Sequence, residues 1–199
     1  MSFSPAPPIL LASRSPQRRA ILTQLRIPHE IATPAYEERD ELAPGSDPRE
    51  LVREHARGKA DSVLGEAGER PVLAVDTTVV LDGHLYSKPA DATEAERMLE
   101  TLAGQTHEVV SGLCLRTLAW EELHDETTRV TFRALTARDI AAYIGADEWR
   151  ERAGGYAIQG LGAALVERIE GDYLNVVGLP AALLVRLLAE RFAGTYGFG

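Results

Sequence analysis

Seven consecutive residues, Ser13-Arg14-Ser15-Pro16-Gln17-Arg18-Arg19, put two serines and three arginines at a strand-to-helix junction. A helix N-terminus carries partial positive charge and favours Asp or Glu in its first turn. Arginines there work against that preference. A bound anion would resolve the conflict, with free backbone N–H groups, serine hydroxyls and guanidinium groups converging on phosphate. The alternative is a solvated basic turn that tolerates the mismatch. The chain has no GxxxxGK[ST] sequence, so this is not a Walker A loop.

Asp76 interrupts an apolar run, PVLAVDTTVVL. A carboxylate there is costly unless it is paired, exposed or bound to a cation. It is therefore a candidate general base or ligand for a hard divalent ion, or else the point where a strand emerges into solvent. Lysine is scarce: of 21 basic residues only Lys59 and Lys88 are lysines, and the rest are arginines. A compact ammonium serves as a point charge on phosphate where a planar guanidinium does not; chance is the other account. Glu37 and Glu38 open an acidic run with Asp40 and Glu41. Such runs are usually solvated, but one of these carboxylates could join Asp76 around Mg²⁺.

Gly154–Gly162 (GGYAIQGLG) is a glycine-rich turn rather than a GxGxxG fingerprint. Gln159 within it offers an amide able to read a base edge or a ribose. None of the five histidines has metal-ligand spacing to another, which disfavours a histidine-based zinc site. Cys114 lies in an apolar segment and reads as core.

These residues need elements to carry them. Pro8–Ala12 reads as a buried strand and Pro16–Leu25 as a helix capped by Ser15. Ile27–Ala32 reads as a strand, and Asp47-Pro48 opens a helix to about Leu64. Pro71–Leu81 is a strand, turned by Asp82-Gly83 into a return strand His84–Tyr86. Thr93 and Glu96 suggest a capping box for a helix ending near Gly104. His107–Leu118 and Thr127–Leu135 read as a hairpin around an acidic connection, Glu121–Glu126. Thr136–Ile144 is a helix, Ala164–Ile169 and Asn175–Val177 are short strands, and Pro180–Phe192 is an amphipathic helix. Pro34–Asp47 and Gly154–Gly162 read as irregular. The sum is an α/β fold with a mixed, twisted sheet.

Composition narrows the class. The 199 residues are 45% hydrophobic and 26% charged, which fits a folded chain. A net charge of −9 disfavours a global electrostatic grip on nucleic acid or anionic lipid. One cysteine excludes an internal disulfide framework. No segment approaches the about 18 apolar residues of a membrane span. Met1–Pro8 has no basic residue and Ile9–Ala12 is short for a signal-peptide core, so a cytoplasmic protein is expected.

The motifs LLASRSPQRRAIL, HARGKA, VLAVDTTVVLDG, SKP, LAGQTHEVVSGLCL, VTFRAL, AGGYAIQGLGAALV and GDYLNVVGLP, in this order from about Ile9 to about Leu188, resemble the Maf family of nucleoside triphosphate pyrophosphatases. The resemblance implies a single Maf-like domain over 1–199. Its fold would be that of the inosine triphosphate pyrophosphatases: an elongated mixed sheet flanked by helices, two lobes and a central cleft. It implies hydrolysis of a nucleoside triphosphate to monophosphate and pyrophosphate with Mg²⁺ or Mn²⁺, in a homodimer. Carried over residue by residue, Ser13 and Arg18 would bind phosphate, Lys59 and Lys88 would face the triphosphate, and Glu38 with Asp76 would serve the metal. Asp76 would also accept the proton, and Thr77 and Gln159 would act in substrate choice. Gln17 stands where members selective for dTTP and UTP usually have arginine, and resembles the 7-methyl-GTP branch. The AIQG sequence at Ala157–Gly160 resembles the dTTP/UTP branch and is given more weight. The family's historical name also raises a rival, a non-catalytic nucleotide-binding regulator of cell division.

Overall fold

The computed structural model describes residues 6–39, 46–193 and 195–196; Asp40 and Glu41 of the acidic run lie outside them. Strand β1 (Ile9–Ala12) leads into helix α1 (Pro16–Gln24), capped by the Ser15 side chain with Pro16 at its first position. Strand β2 (His29–Ala32) follows, then the long helix α2 (Pro48–Ala67), capped by Asp47. Strand β3 (Val72–Leu81) turns into β4 (His84–Tyr86) through Asp82 and Gly83, both at positive φ, as a tight hairpin turn requires. Helix α3 (Ala92–Leu102) precedes the long pair β5 (Thr106–Arg116) and β6 (Glu121–Phe132). Then come α4 (Ala137–Gly145), β7 (Val166–Glu170), α5 (Tyr173–Val177) and α6 (Ala181–Phe192).

The seven strands form one mixed sheet in the order β2-β1-β3-β5-β6-β7, with β4 paired to β3. β1 runs parallel to β2 and β3, and the remaining pairs are antiparallel. The expected mixed α/β sheet flanked by helices is what forms. Side-chain alternation sends neighbouring residues to opposite faces. Ile9, Leu11, Leu73 and Val75 pack with α1 and α6, while Leu10, Ala12, Val72 and Ala74 pack with α2. Asp76 continues the row of Val72 and Ala74 and therefore faces α2. Thr77 faces the other way.

The contact between α2 and the sheet is rich in small side chains, Ala56, Ala60 and Ala67 from the helix and Ala12, Ala32 and Ala74 from the strands. Gly112 on β5 completes it: a Cβ there would lie 2.1 Å from the Val52 carbonyl oxygen. Helix α2 thus sits close enough on the sheet for its buried residues to reach strand β3. A second apolar cluster, with Val79, Leu99, Val109, Phe132, Tyr143 and Tyr156, occupies the far end of the sheet.

Three expectations are corrected. Asn175–Val177 belongs to helix α5, not a strand: Asp172 caps it, and the buried Asn175 amide donates to the Val109 carbonyl and the Thr128 hydroxyl, both at 3.1 Å. Glu121–Glu126 is strand, not connection. Arginines neutralise its acidic side chains: Glu121 pairs with Arg57 and Arg116, Glu122 with Arg191, and Asp125 with Arg53. Helix α3 is capped by Asp91 rather than Thr93, and Glu94 accepts from the Ala90 N–H. In addition, the first residues of the strand expected over Ala164–Ile169 are the end of a 3₁₀ turn, Gly160–Leu165, and the strand itself begins at Val166.

His107 lies buried between Phe132 and Tyr156, with Nε2 2.8 Å from the Tyr156 hydroxyl. Burial lowers its imidazole to about 4, against about 6.5 for a free histidine. Between those values the unfolded chain takes up a proton that the fold excludes, so stability is lost as the pH falls through this window. The loss is on the order of 3 kcal/mol at its acid end. Melting curves recorded across this window should show the loss, and His107→Gln, which keeps a partner for Tyr156, should flatten it. An unchanged slope in the variant would contradict the assignment.

Candidate active site

Between the two apolar clusters opens a cleft of about 480 Å³. Its floor is where β1, β3 and α2 meet. Lys59 and Asp76 are almost fully buried there, at 5% and 8% exposure. The Lys59 Nζ lies 2.6 Å from Asp76 Oδ1 and 2.6 Å from Glu38 Oε1. One ammonium therefore bridges two carboxylates, one from strand β3 and one from the loop after β2. Burial alone would raise the Asp76 carboxyl. The His55 hydrogen bond, the charge and hydrogen bond of Lys59 and the charge of Arg18 outweigh it and hold the group well below the usual carboxylate range.

The other face of β3 supplies the second group. Arg18, from the first turn of α1, donates Nε–H to the Gly178 carbonyl at 2.8 Å. Its Nη1 lies 3.3 Å from the Ser13 hydroxyl and its Nη2 3.2 Å from Thr77 Oγ1. Thr77 Oγ1 also meets Ser111 Oγ at 2.8 Å. The guanidinium is thus fixed in direction at three points, with Ser13 beside it at the end of β1. The Ser13 hydroxyl additionally accepts from the Ser15 N–H at 3.1 Å.

The structure brings Ser13, Arg18, Glu38, Lys59, Asp76 and Thr77 together on this floor. It leaves Gln17, Lys88 and Gln159 apart, on the cleft walls. The Gln17 amide oxygen accepts from the Ser15 hydroxyl at 3.0 Å. Lys88 is exposed and lies 3.4 Å from Glu151. Gln159 is exposed in the glycine-rich turn, where Gly154, Gly155 and Gly160 all take positive φ. Arg152 also lines the cleft, and its Nε is buried without a hydrogen-bond partner.

Sequence reading missed His55, Tyr36 and Arg39. His55 lies four residues before Lys59 on α2, so both point from one helix face. Its Nδ1 is 3.1 Å from Asp76 Oδ2, and its Nε2 accepts from the Arg39 backbone N–H at 3.2 Å. Tyr36 packs against the His55 ring, with centroids 5.8 Å apart, and lies over Gly58. A Cβ at residue 58 would fall 2.1 Å from the Tyr36 ring. The i, i+4 spacing of His55 and Lys59 within HARGKA was the available signal.

Among the described residues, no group of three or more His, Cys, Asp or Glu side chains could hold a metal ion. Two carboxylates do converge, on the Lys59 ammonium. An oxygen-only pair of this kind suits Mg²⁺, which takes one or two carboxylates and completes its shell with water and phosphate oxygens.

The chain is similar in sequence to proteins of a described family. The family model described as Maf-like protein matches residues 8–191. A Deinococcus radiodurans protein named dTTP/UTP pyrophosphatase is 42% identical over 199 residues, covering 100% of both chains. Its namesake from Gloeobacter violaceus is 46% identical, covering 92% of this chain and 95% of that one. The one from Thermus thermophilus is 44% identical, covering 93% and 95%. Among solved structures, a HAM1 protein from Coxiella burnetii overlaps with a TM-score of 0.49 at 18% identity, covering 92% of this chain and 98% of that one. With its family model matched over nearly the whole length, and relatives above 40% identity that it spans from end to end, the chain belongs to the Maf-like protein family.

Proposed function

We propose that this chain is a nucleoside triphosphate pyrophosphatase of the dTTP/UTP type, releasing pyrophosphate and leaving the nucleoside monophosphate. The observation that carries the reading is the Asp76–Lys59–Glu38 bridge, with Lys59 and Asp76 buried, beside the fixed Arg18 guanidinium, in a chain 42–46% identical to proteins named for that activity. The chain as a whole carries −9. A local group of cations facing a cleft answers how such a chain binds a polyanion.

In this reading Arg18, Ser13, Lys59 and Lys88 take the phosphate oxygens. Arg18 is pre-oriented and loses little freedom on binding. Glu38 and Asp76 would hold a divalent ion, which supplies positive charge at the phosphate oxygens when bound. Asp76 orients a water toward the α-phosphorus. In the resting site Asp76 is a weak base, because Lys59 and His55 stabilise its charge. When the Lys59 ammonium turns to a phosphate, Asp76 loses its shortest contact, and the freed carboxylate oxygen can accept a hydrogen bond from the attacking water. The water oxygen bonds to the α-phosphorus, its proton passes to Asp76, and the bond to the bridging oxygen breaks toward pyrophosphate. Gln17, Thr77 and Gln159 set the base preference, Thr77 through its hold on Arg18.

The proposal extends to a homodimer of single Maf-like domains in the cytoplasm, on the family resemblance alone. No helix among the described residues is long and apolar enough to cross a membrane.

Two experiments test the reading. Nucleoside triphosphates assayed with Mg²⁺ should release pyrophosphate from dTTP and UTP, and Asp76→Asn should lower kcat by about 10²- to 10⁴-fold without unfolding the protein. Release mainly from 7-methyl-GTP would give base choice to Gln17. Binding without release would favour the regulator. Separately, Lys59→Met leaves Asp76 and Glu38 facing each other without a cation. It should lower stability on the order of 3 kcal/mol, and Mg²⁺ should raise the Tm of the variant more than that of the parent. An equal Mg²⁺ response would contradict the carboxylate pair as the ion's site.

A further inference from the structure

We propose that His55 is a positioning residue that holds both carboxylates in register around Lys59: Asp76 directly, and Glu38 through the backbone of Arg39. The inference deepens the pyrophosphatase reading and rests on it for its kinetic test, but its structural premise stands on the resting protein.

The geometry fixes the ring's chemistry. A backbone amide only donates, so the Arg39 N–H at 3.2 Å requires a lone pair on His55 Nε2. A neutral imidazole then carries its proton on Nδ1, 3.1 Å from Asp76 Oδ2. The two Asp76 oxygens are thereby divided: Oδ1 to Lys59 and Oδ2 to His55. The carboxylate cannot rotate without losing one of them. The ring itself is buried, at 3% exposure.

The same ring anchors the loop that carries Glu38. Contacts on both sides of Glu38 tie that loop to α2: Tyr36 over Gly58 and the Ala35 N–H on the Ser62 hydroxyl before it, and the Arg39 N–H on His55 after it. The Arg39 side chain adds an ion pair with Glu54 at the surface. Glu38 itself is partly exposed, and its 2.6 Å approach to Lys59 follows from where its neighbours are pinned. His55 thus bonds to Asp76 and to the backbone next to Glu38, the two sides of the pair that Lys59 bridges. Groups that orient charged ligands in this way carry about 10- to 100-fold of affinity or activity.

The test separates the two bonds. ¹⁵N imidazole spectra of the resting protein should show His55 protonated on Nδ1; a ring protonated on Nε2 overturns the proposal without reference to any activity. His55→Leu removes both bonds and should lower kcat/KM for dTTP by about 10- to 100-fold, with more Mg²⁺ needed for half-maximal rate. His55→Asn keeps an N–H donor where Nδ1 stands but cannot reach Arg39. It should recover most of kcat at saturating Mg²⁺ while the raised Mg²⁺ requirement persists. Equal impairment of both variants would mean packing alone, and an unimpaired His55→Leu would mean no role; either overturns the inference. Melting curves of each variant identify one that does not fold, in which case the spectrum and His55→Asn decide. A parent protein that turns over no nucleotide would remove the functional reading while leaving the tautomer test intact.

Discussion

The site depends on one buried ammonium held between two carboxylates. Lys59 is almost completely removed from water and lies 2.6 Å from both Asp76 and Glu38. Desolvating Lys59 and Asp76 is costly, and their mutual attraction offsets the cost only with good geometry and further hydrogen bonds. The further bonds are present: His55 on the free oxygen of Asp76, and Arg18 close enough to contribute its charge. The arrangement carries one net negative charge among these three side chains, poised next to a cleft lined by arginines. A triphosphate entering that cleft competes for Lys59, and whatever takes its place between the carboxylates must be a cation. Binding of phosphate and release of the two carboxylates are thereby linked through a single side chain.

The fold serves that contact through close approach. Lys59 lies in the buried stripe of α2, with Val52, Ala56, Ala60 and Val63. The alanine-rich face beneath the helix and the absence of a Cβ at Gly112 let it settle onto β3 and β5. Strand alternation then does the sorting. Asp76 points to α2 and its lysine, and Thr77 to α1 and its arginine, so two adjacent residues of one strand organise both halves of the site. Gly58 plays the matching part on the outer side of α2, where only a hydrogen leaves room for the Tyr36 ring.

Much of this was legible in the sequence where local chemistry decides. Ser15-Pro16, Asp47-Pro48 and Asp82-Gly83 each act within a few residues, and each marks an element boundary where expected. The errors fall where distant partners decide. Asn175–Val177 looks like a strand from its valines, but an Asp172 cap and a buried amide bond to β5 and β6 make it helical. The acidic stretch Glu121–Glu126 looks like a loop until arginines from α2, β5 and α6 arrive to pair with it. The site follows the same rule. Residues of unusual type for their surroundings, such as Asp76 in an apolar run or two lysines among arginines, stand out. His55 shows only its i, i+4 spacing to Lys59, because the partners that give it a role, Asp76 and the Arg39 N–H, are brought to it by the fold.

The central claim is that water activated at Asp76 attacks the α-phosphorus. Hydrolysis of dTTP in ¹⁸O-labelled water, with mass analysis of both products, tests it most directly. The account predicts one ¹⁸O atom in the thymidine monophosphate and none in the pyrophosphate. Label in the pyrophosphate would place the attack on the β-phosphorus, and label in orthophosphate would place it on the terminal phosphate; either result would contradict the assignment of Asp76 and of the cleft geometry built around it.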